Sequence, residues 1–169
     1  STLHLDALLD TIVTRAVHLS DTDGGLIYEY DEASQEFHLR ATHRIEDEVV
    51  AALRTAPVHL GEGVAERAAA TRAPVQVPDL LADQEHSVAR LRPLLDRLGY
   101  RSLLSVPLLF EQRIIGAHLV WRGRVGEFTP EVVSLLQTFA SQSCLAINNA
   151  RLFREIEDKS RQIEAANRH

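Results

Sequence analysis

Residues 101–122 read RSLLSVPLLFEQRIIGAHLVWR, and the architecture of the chain follows from them. Leu103 to Phe110 is almost continuously apolar, and so is Ile114 to Trp121. β-Branched and aromatic residues are frequent in these runs, and the polar Glu111-Gln112-Arg113 between them marks a turn. Asn-Gly, the strongest two-residue hairpin signal, is missing, so the hairpin is inferred from its flanks. Strands this apolar are buried on both faces. They are expected at the centre of a sheet with a layer on each side.

Upstream, Leu5, Leu8, Leu9, Ile12, Val13, Ala16 and Val17 repeat at helical spacing, and the polar, glycine-containing run from Ser20 to Gly25 stops that helix. Leu26 to Tyr30 and Phe37 to Thr42 read as two strands around a turn at 31–35. Glu46 to Thr55 is a short helix, and Pro57 to Leu60 is extended because proline disfavours helix in the residue before it. Gly61-Glu62-Gly63 opens a small-residue helix, Val64 to Arg72. A glycine pair before a helix can cradle phosphate, but neither the lysine of a phosphate loop nor the dinucleotide fingerprint is present. A tight turn is the simpler reading. Val75 to Val77 is a short strand, and Val88 to Leu98 has a helical pattern with Pro93 in its first turn or at a kink. The strands fall into hairpins, which predicts an α+β domain with a mainly antiparallel sheet.

The chain has 169 residues, 45 % apolar and 25 % charged, with a net charge of −6. The size suits one core-bearing domain. The negative balance argues against nucleic acid as a partner, since phosphate neutralisation needs a basic face. The single cysteine, Cys144, excludes an internal disulfide and a Cys-rich zinc site. No run has the length of a membrane span and no signal-peptide pattern opens the chain, so no direct membrane insertion and a cytoplasmic location are expected. The start without Met and the end within a helical pattern suggest a fragment of a longer protein.

Phe128-Thr129-Pro130-Glu131 is a helix start, with Thr129 as N-cap and Pro130 at the first helical position. No breaker follows up to Ala166, which makes roughly 55 Å of helix at about 1.5 Å per residue. A globule of about 130 residues is only roughly 36 Å across, so the last turns should project. They carry a heptad rhythm: Leu145, Leu152, Lys159 and Ala166 in one position, Asn149, Ile156 and Ile163 in the other. Arg151, Arg154, Glu155, Glu157, Asp158, Arg161 and Glu164 flank it with mixed charge. The expectation is a homodimer seam that leaves a domain of residues 1–150 and runs through a coiled-coil linker, 151–169.

No catalytic constellation stands out. The eight histidines are scattered, without the helical i, i+4 zinc spacing. No nucleophile elbow surrounds a serine. Cys144 sits in an apolar helical pattern and reads as a small buried hydrophobe. His118 interrupts an apolar strand, either as a satisfied core histidine or as a pocket residue. Trp121, Tyr28, Tyr30 and Tyr100 would serve an aromatic core or an aromatic-lined pocket.

Gly61 to Ala65, Pro74 to Asp79, Arg101 to Leu108 with Ile114-Ile115-Gly116, and Phe128 through Leu152 together resemble a GAF domain over nearly the whole chain. The resemblance implies about six antiparallel strands between helical layers. It implies small-ligand binding between the sheet and the connecting helices, and pairing of the first and last helices between subunits. The tail from Leu152 to Arg168 is similar to linkers that lead into histidine kinase dimerisation helices. Subtype motifs are missing. The cyclic-nucleotide motif is expected from Arg122 and Gly123; Phe128 fits it, but Val132 and Val133 stand where its acids belong. Arg90 and Leu91 replace the bilin Cys-His pair. Asp96 and Arg97 stand where haem-binding members place a histidine, leaving His86 as the nearby candidate. The several cysteines of the family's free methionine sulfoxide reductases are lacking.

The expected function is a non-catalytic sensory and dimerisation module of a bacterial two-component signalling protein. It would pass a small-molecule signal to a C-terminal output domain, a histidine kinase. Its ligand and any cofactor are unassigned. Pocket candidates are Tyr28, Thr42, His43, His86, Tyr100 and His118, with Tyr28 and Thr42 placed on the ligand face by strand alternation. The alternative is a ligand-free dimeriser whose cavity is plugged by Leu80, Leu81, Leu91, Leu94 and Leu95. An enzyme, redox or hydrolytic, is the third reading, and no residue pattern supports it.

Overall fold

The computed structural model describes residues 2–60, 63–83 and 90–168. In chain order the elements are α1 (Thr2–Ser20), β1 (Gly24–Asp31), β2 (Glu36–His43), α2 (Asp47–Thr55), β3 (Val58–His59), α3 (Val64–Thr71), β4 (Val75–Val77), α4 (Arg92–Arg97), β5 (Ser102–Phe110), β6 (Arg113–Arg122) and α5 (Pro130–Asn167). The six strands form one sheet in the order β3-β2-β1-β6-β5-β4, and every neighbouring pair is antiparallel.

The 101–122 stretch is the expected hairpin. β6 is central and β5 lies beside it. Phe110 pairs with Arg113, so the loop is only Glu111-Gln112. Both residues are left-handed, with φ of 50° and 68°. That is the backbone of the tight hairpin turn that Asn-Gly normally makes, here built from residues that resist it. Replacing Glu111-Gln112 by Asn-Gly should stabilise the domain by about 1 kcal/mol, read as a raised denaturation midpoint.

The sheet has two covered faces. α1 and α5 cover one, over Ile27, Ala41, Val106, Leu108, Ile115 and Val120. α2, α3 and α4 cover the other, over Leu26, Tyr28, Phe37, Leu39, Leu103 and Trp121. Two bulges set which residues face where. Arg40 is an extra residue in β2, since Ile27 pairs with Ala41 and Tyr28 with Leu39. Ile115 is extra in β6, since Leu108 pairs with Gly116 and Leu109 with Ile114. Gly116 lies opposite Glu29, and a Cβ there would fall on the carbonyl oxygen of Tyr28.

The short helices follow the sequence closely. α2 starts after Glu46. α3 starts after Gly63 and ends on a left-handed Arg72. α4 carries Pro93 in its first turn; the expected helix start at Val88 lies outside the described residues, as do Gly61 and Glu62. α5 is capped as expected, with the Val132 amide donating to Thr129 Oγ1 at 3.3 Å. Its 38 residues span about 57 Å. Leu136, Phe139, Ala140, Ser143, Cys144 and Ile147 bury its first half, and every described side chain from Leu152 onward is exposed.

Candidate functional site

Tyr28, Thr42 and Tyr100 share the sheet face covered by α2, α3 and α4. Tyr28 is buried and meets Phe37 edge-on, with 6.1 Å between ring centroids. Burial raises its phenol pKa, the charge of Glu66 pushes the same way, and Arg90 opposes them. Thr42 pairs with Leu26, so both point to this face. Tyr100 stacks on Trp121 at 3.8 Å and 14° and donates its hydroxyl hydrogen to Glu46 Oε2 at 3.2 Å. Burial and the Glu46 carboxylate push its pKa up. Trp121 Nε1 donates to the carbonyl of Arg44 at 3.3 Å. The result is a buried aromatic cluster whose polar atoms at Tyr100 and Trp121 are hydrogen-bonded to Glu46 and Arg44.

Two expected pocket residues lie on the other face. His43 follows Thr42 in β2, and consecutive strand residues point to opposite sides. Its ring reaches α1, with Nδ1 3.3 Å from Thr14 Oγ1 and the His18 ring edge-on at 5.3 Å. Burial lowers its pKa, helped by the charges of His18 and Arg44. His118 pairs with Ile27 and Val106, both under α1 and α5. It is fully buried, and neither ring nitrogen has a protein partner. Burial pushes its pKa down to about 3, so it is neutral at ordinary pH. His86 lies outside the described residues.

Glu46 and Glu66 stand beside the candidate tyrosines Tyr100 and Tyr28, and the sequence reading missed both. Glu66 is buried on α3, and its carboxylate stands where a Cβ of Gly63 would be. An acid three residues after an N-cap is half of a capping box, and that spacing was the available signal. Of the leucines expected to plug this face, Leu80 and Leu95 are buried in its core. Leu91 and Leu94 pack against it, while Leu81 is 46 % exposed.

Where α5 leaves the domain, a charged groove of about 560 Å³ separates it from the β1–β2 hairpin. Tyr30, Asp31 and His38 line one wall and Arg151, Arg154 and Asp158 the other. Arg151, expected only as a seam flank, is tied into the domain. Its Nε donates to Glu29 Oε2 at 3.0 Å and its Nη2 to the carbonyl of Tyr30 at 2.8 Å.

Cys144 donates its thiol hydrogen to the carbonyl of Leu109 at 3.3 Å, and burial pushes its pKa up. A thiol held protonated is a poor nucleophile. Among the described residues no three His, Cys, Asp or Glu side chains gather as metal ligands, and no helix is long and apolar enough to cross a membrane.

A six-stranded antiparallel sheet, with connecting helices on one face and terminal helices on the other, defines an α+β domain of the sensory type. The family model for the GAF domain matches residues 2–148. The chain belongs to the GAF domain family, a small-molecule-binding fold that is generally regulatory. A comparison with curated proteins returns no match. Three similar solved structures differ in context. The GAF domain of a phosphoenolpyruvate-protein phosphotransferase from Coxiella burnetii has a TM-score of 0.77 at 20 % identity, covering 89 % of this chain and 86 % of that one. A domain described as that of a two-component sensor histidine kinase protein from Sinorhizobium meliloti has a TM-score of 0.69 at 16 % identity, covering 86 % and 91 %. The free methionine-R-sulfoxide reductase of Neisseria meningitidis has a TM-score of 0.69 at 20 % identity, covering 88 % and 80 %. At these identities the likeness shows the fold.

Proposed function

We propose that this domain is a non-catalytic sensor and dimeriser, which binds a small molecule on the α2–α4 face and signals through α5 to a C-terminal histidine kinase in the cytoplasm. The observation that carries the reading is the apolar stripe on α5. Leu145, Leu152, Ile156 and Ile163 are 54, 49, 66 and 62 % exposed, at heptad spacing, with Asn149 in the same stripe. On one chain that stripe faces water. A second copy paired along it would cover it, and the mixed charges beside it suit a two-stranded coil. Leu8 and Leu19 of α1 are also exposed and extend the same apolar character. A ligand on the other face would act by binding one arrangement of these helices better, with a coupling of about 1–3 kcal/mol.

Native mass spectrometry of the purified protein tests the reading. A dimer that carries an added small mass supports the sensor. A monomer without added mass contradicts it. A second reading, the ligand-free dimeriser, draws on Leu80 and Leu95, which fill the sensory face from within. A bare dimer that gains no mass from small-molecule mixtures favours that reading. The reductase fold neighbour does not extend to an enzyme reading here, because Cys144 is a buried, protonated thiol.

A further inference from the structure

Glu29 sits at the centre of a four-residue ion network that joins both terminal helices to the middle of the sheet. Its Oε1 accepts from Arg40 and its Oε2 from Arg151. Arg40 Nη2 also donates to Asp6 of α1 at 2.8 Å. The Glu29 side chain is 14 % exposed, so its two ion pairs are only weakly screened. Among the described residues, Arg151 is the last side chain of α5 with a hydrogen bond or ion pair to the domain. Every described side chain after it is exposed.

The residue before Glu29 is Tyr28, which points into the opposite face. The two are neighbours on β1, so a backbone shift at one is carried to the other. At this level the pairing of β1 is irregular on its β2 side, while its pairing with β6 stays regular through Glu29 and Gly116. The Arg40 bulge lies between the partners of Ile27 and Tyr28, and one strand further out the β5–β6 ladder has its own bulge at Ile115, next to Gly116, the partner of Glu29. Bulges loosen pairing and re-aim side chains. The bulged residue, Arg40, is itself one of the two arginines that grip Glu29.

We propose that Tyr28 and Glu29 form a two-sided joint, and that the Glu29–Arg151 ion pair is the latch through which the state of the α2–α4 face sets the order of the projecting half of α5. The joint rests on the sensory reading for its physiological trigger, but its mechanics need no ligand. Moving Tyr28 displaces the Glu29 carboxylate, and the helix is freed at its last anchor. By linkage, cutting the anchor must be felt at Tyr28.

Amide hydrogen exchange on the full chain tests this. Tyr28→Leu should speed exchange across residues 148–158 by at least about fivefold, the low end of typical coupling between sites. Glu29→Gln should do the same, and Tyr28→Leu should add nothing in the Glu29→Gln background. Unchanged exchange at 148–158 in Tyr28→Leu, or effects that simply multiply in the double variant, would overturn the latch. Arg151→Met supplies the reciprocal test should Tyr28→Leu not fold: exchange at Tyr28 and Tyr30 must then rise, and unchanged protection there overturns the proposal. Ile156→Asp, run beside them, reports loss of the seam as a change in mass. Failure of the dimer reading is thereby scored separately from failure of the latch.

Discussion

His118→Leu should make the domain more stable at neutral pH and much less sensitive to acid. The wild-type ring is fully buried with both nitrogens unpartnered, a penalty of about 1–3 kcal/mol that an apolar side chain of similar size removes. The acid effect is larger. His118 stays neutral in the folded chain down to about pH 3, whereas in the unfolded chain it takes up a proton near pH 6.5. The unfolded state therefore binds more protons between these values. The stability that depends on neutral His118 is present above pH 6.5 and is lost as pH falls towards 3. By pH 5 the loss is about 2 kcal/mol. His43 is shifted down as well and adds to the slope in the same direction. Denaturant titrations at pH 7 and pH 5 should show the wild type losing about 2 kcal/mol or more, and His118→Leu losing clearly less. Equal losses in the two proteins would mean that His118 has a proton acceptor when folded.

Gly116→Ala should cost about 3 kcal/mol or more, a large penalty for one methyl group. The added carbon would meet the carbonyl oxygen of Tyr28, which belongs to the backbone of the central strand and has no rotamer to escape into. Relief would require β1 and β6 to separate, in the middle of the sheet. Gly99 makes a useful contrast, because a Cβ there meets nothing within 4 Å. Its cost comes from a positive φ of 86° alone and should be nearer 1 kcal/mol. Equilibrium unfolding of the two variants checks the order, and a milder effect at Gly116 than at Gly99 would contradict it.

Much of the architecture was legible because it rests on local rules. The 101–122 hairpin followed from two apolar runs, and α5 followed from Thr129, Pro130 and an unbroken helical pattern. The faces of single side chains were harder to read. Strand alternation put Thr42 beside Tyr28, and by the same rule it turns His43 away. His118 stands in a strand that is apolar on both sides, so polarity gave no sign of its direction. The bulges at Arg40 and Ile115 shift alternation by one residue; Gly116 beside Ile115 is the glycine that marks one of them, and nothing in the sequence marks the other. Arg151 looked like any seam charge. Its partner, Glu29, is 122 positions away, and only the fold brings them together.

In the proposed function, α5 is a dimer seam that carries a signal out of the domain. Light-scattering mass of the wild type against Ile156→Asp/Ile163→Asp tests it most directly. The wild type should have the mass of two chains and the double variant that of one, with thermal unfolding of the domain nearly unchanged, since both isoleucines lie on the projecting half and touch no core cluster. Equal masses for the two proteins would contradict the seam.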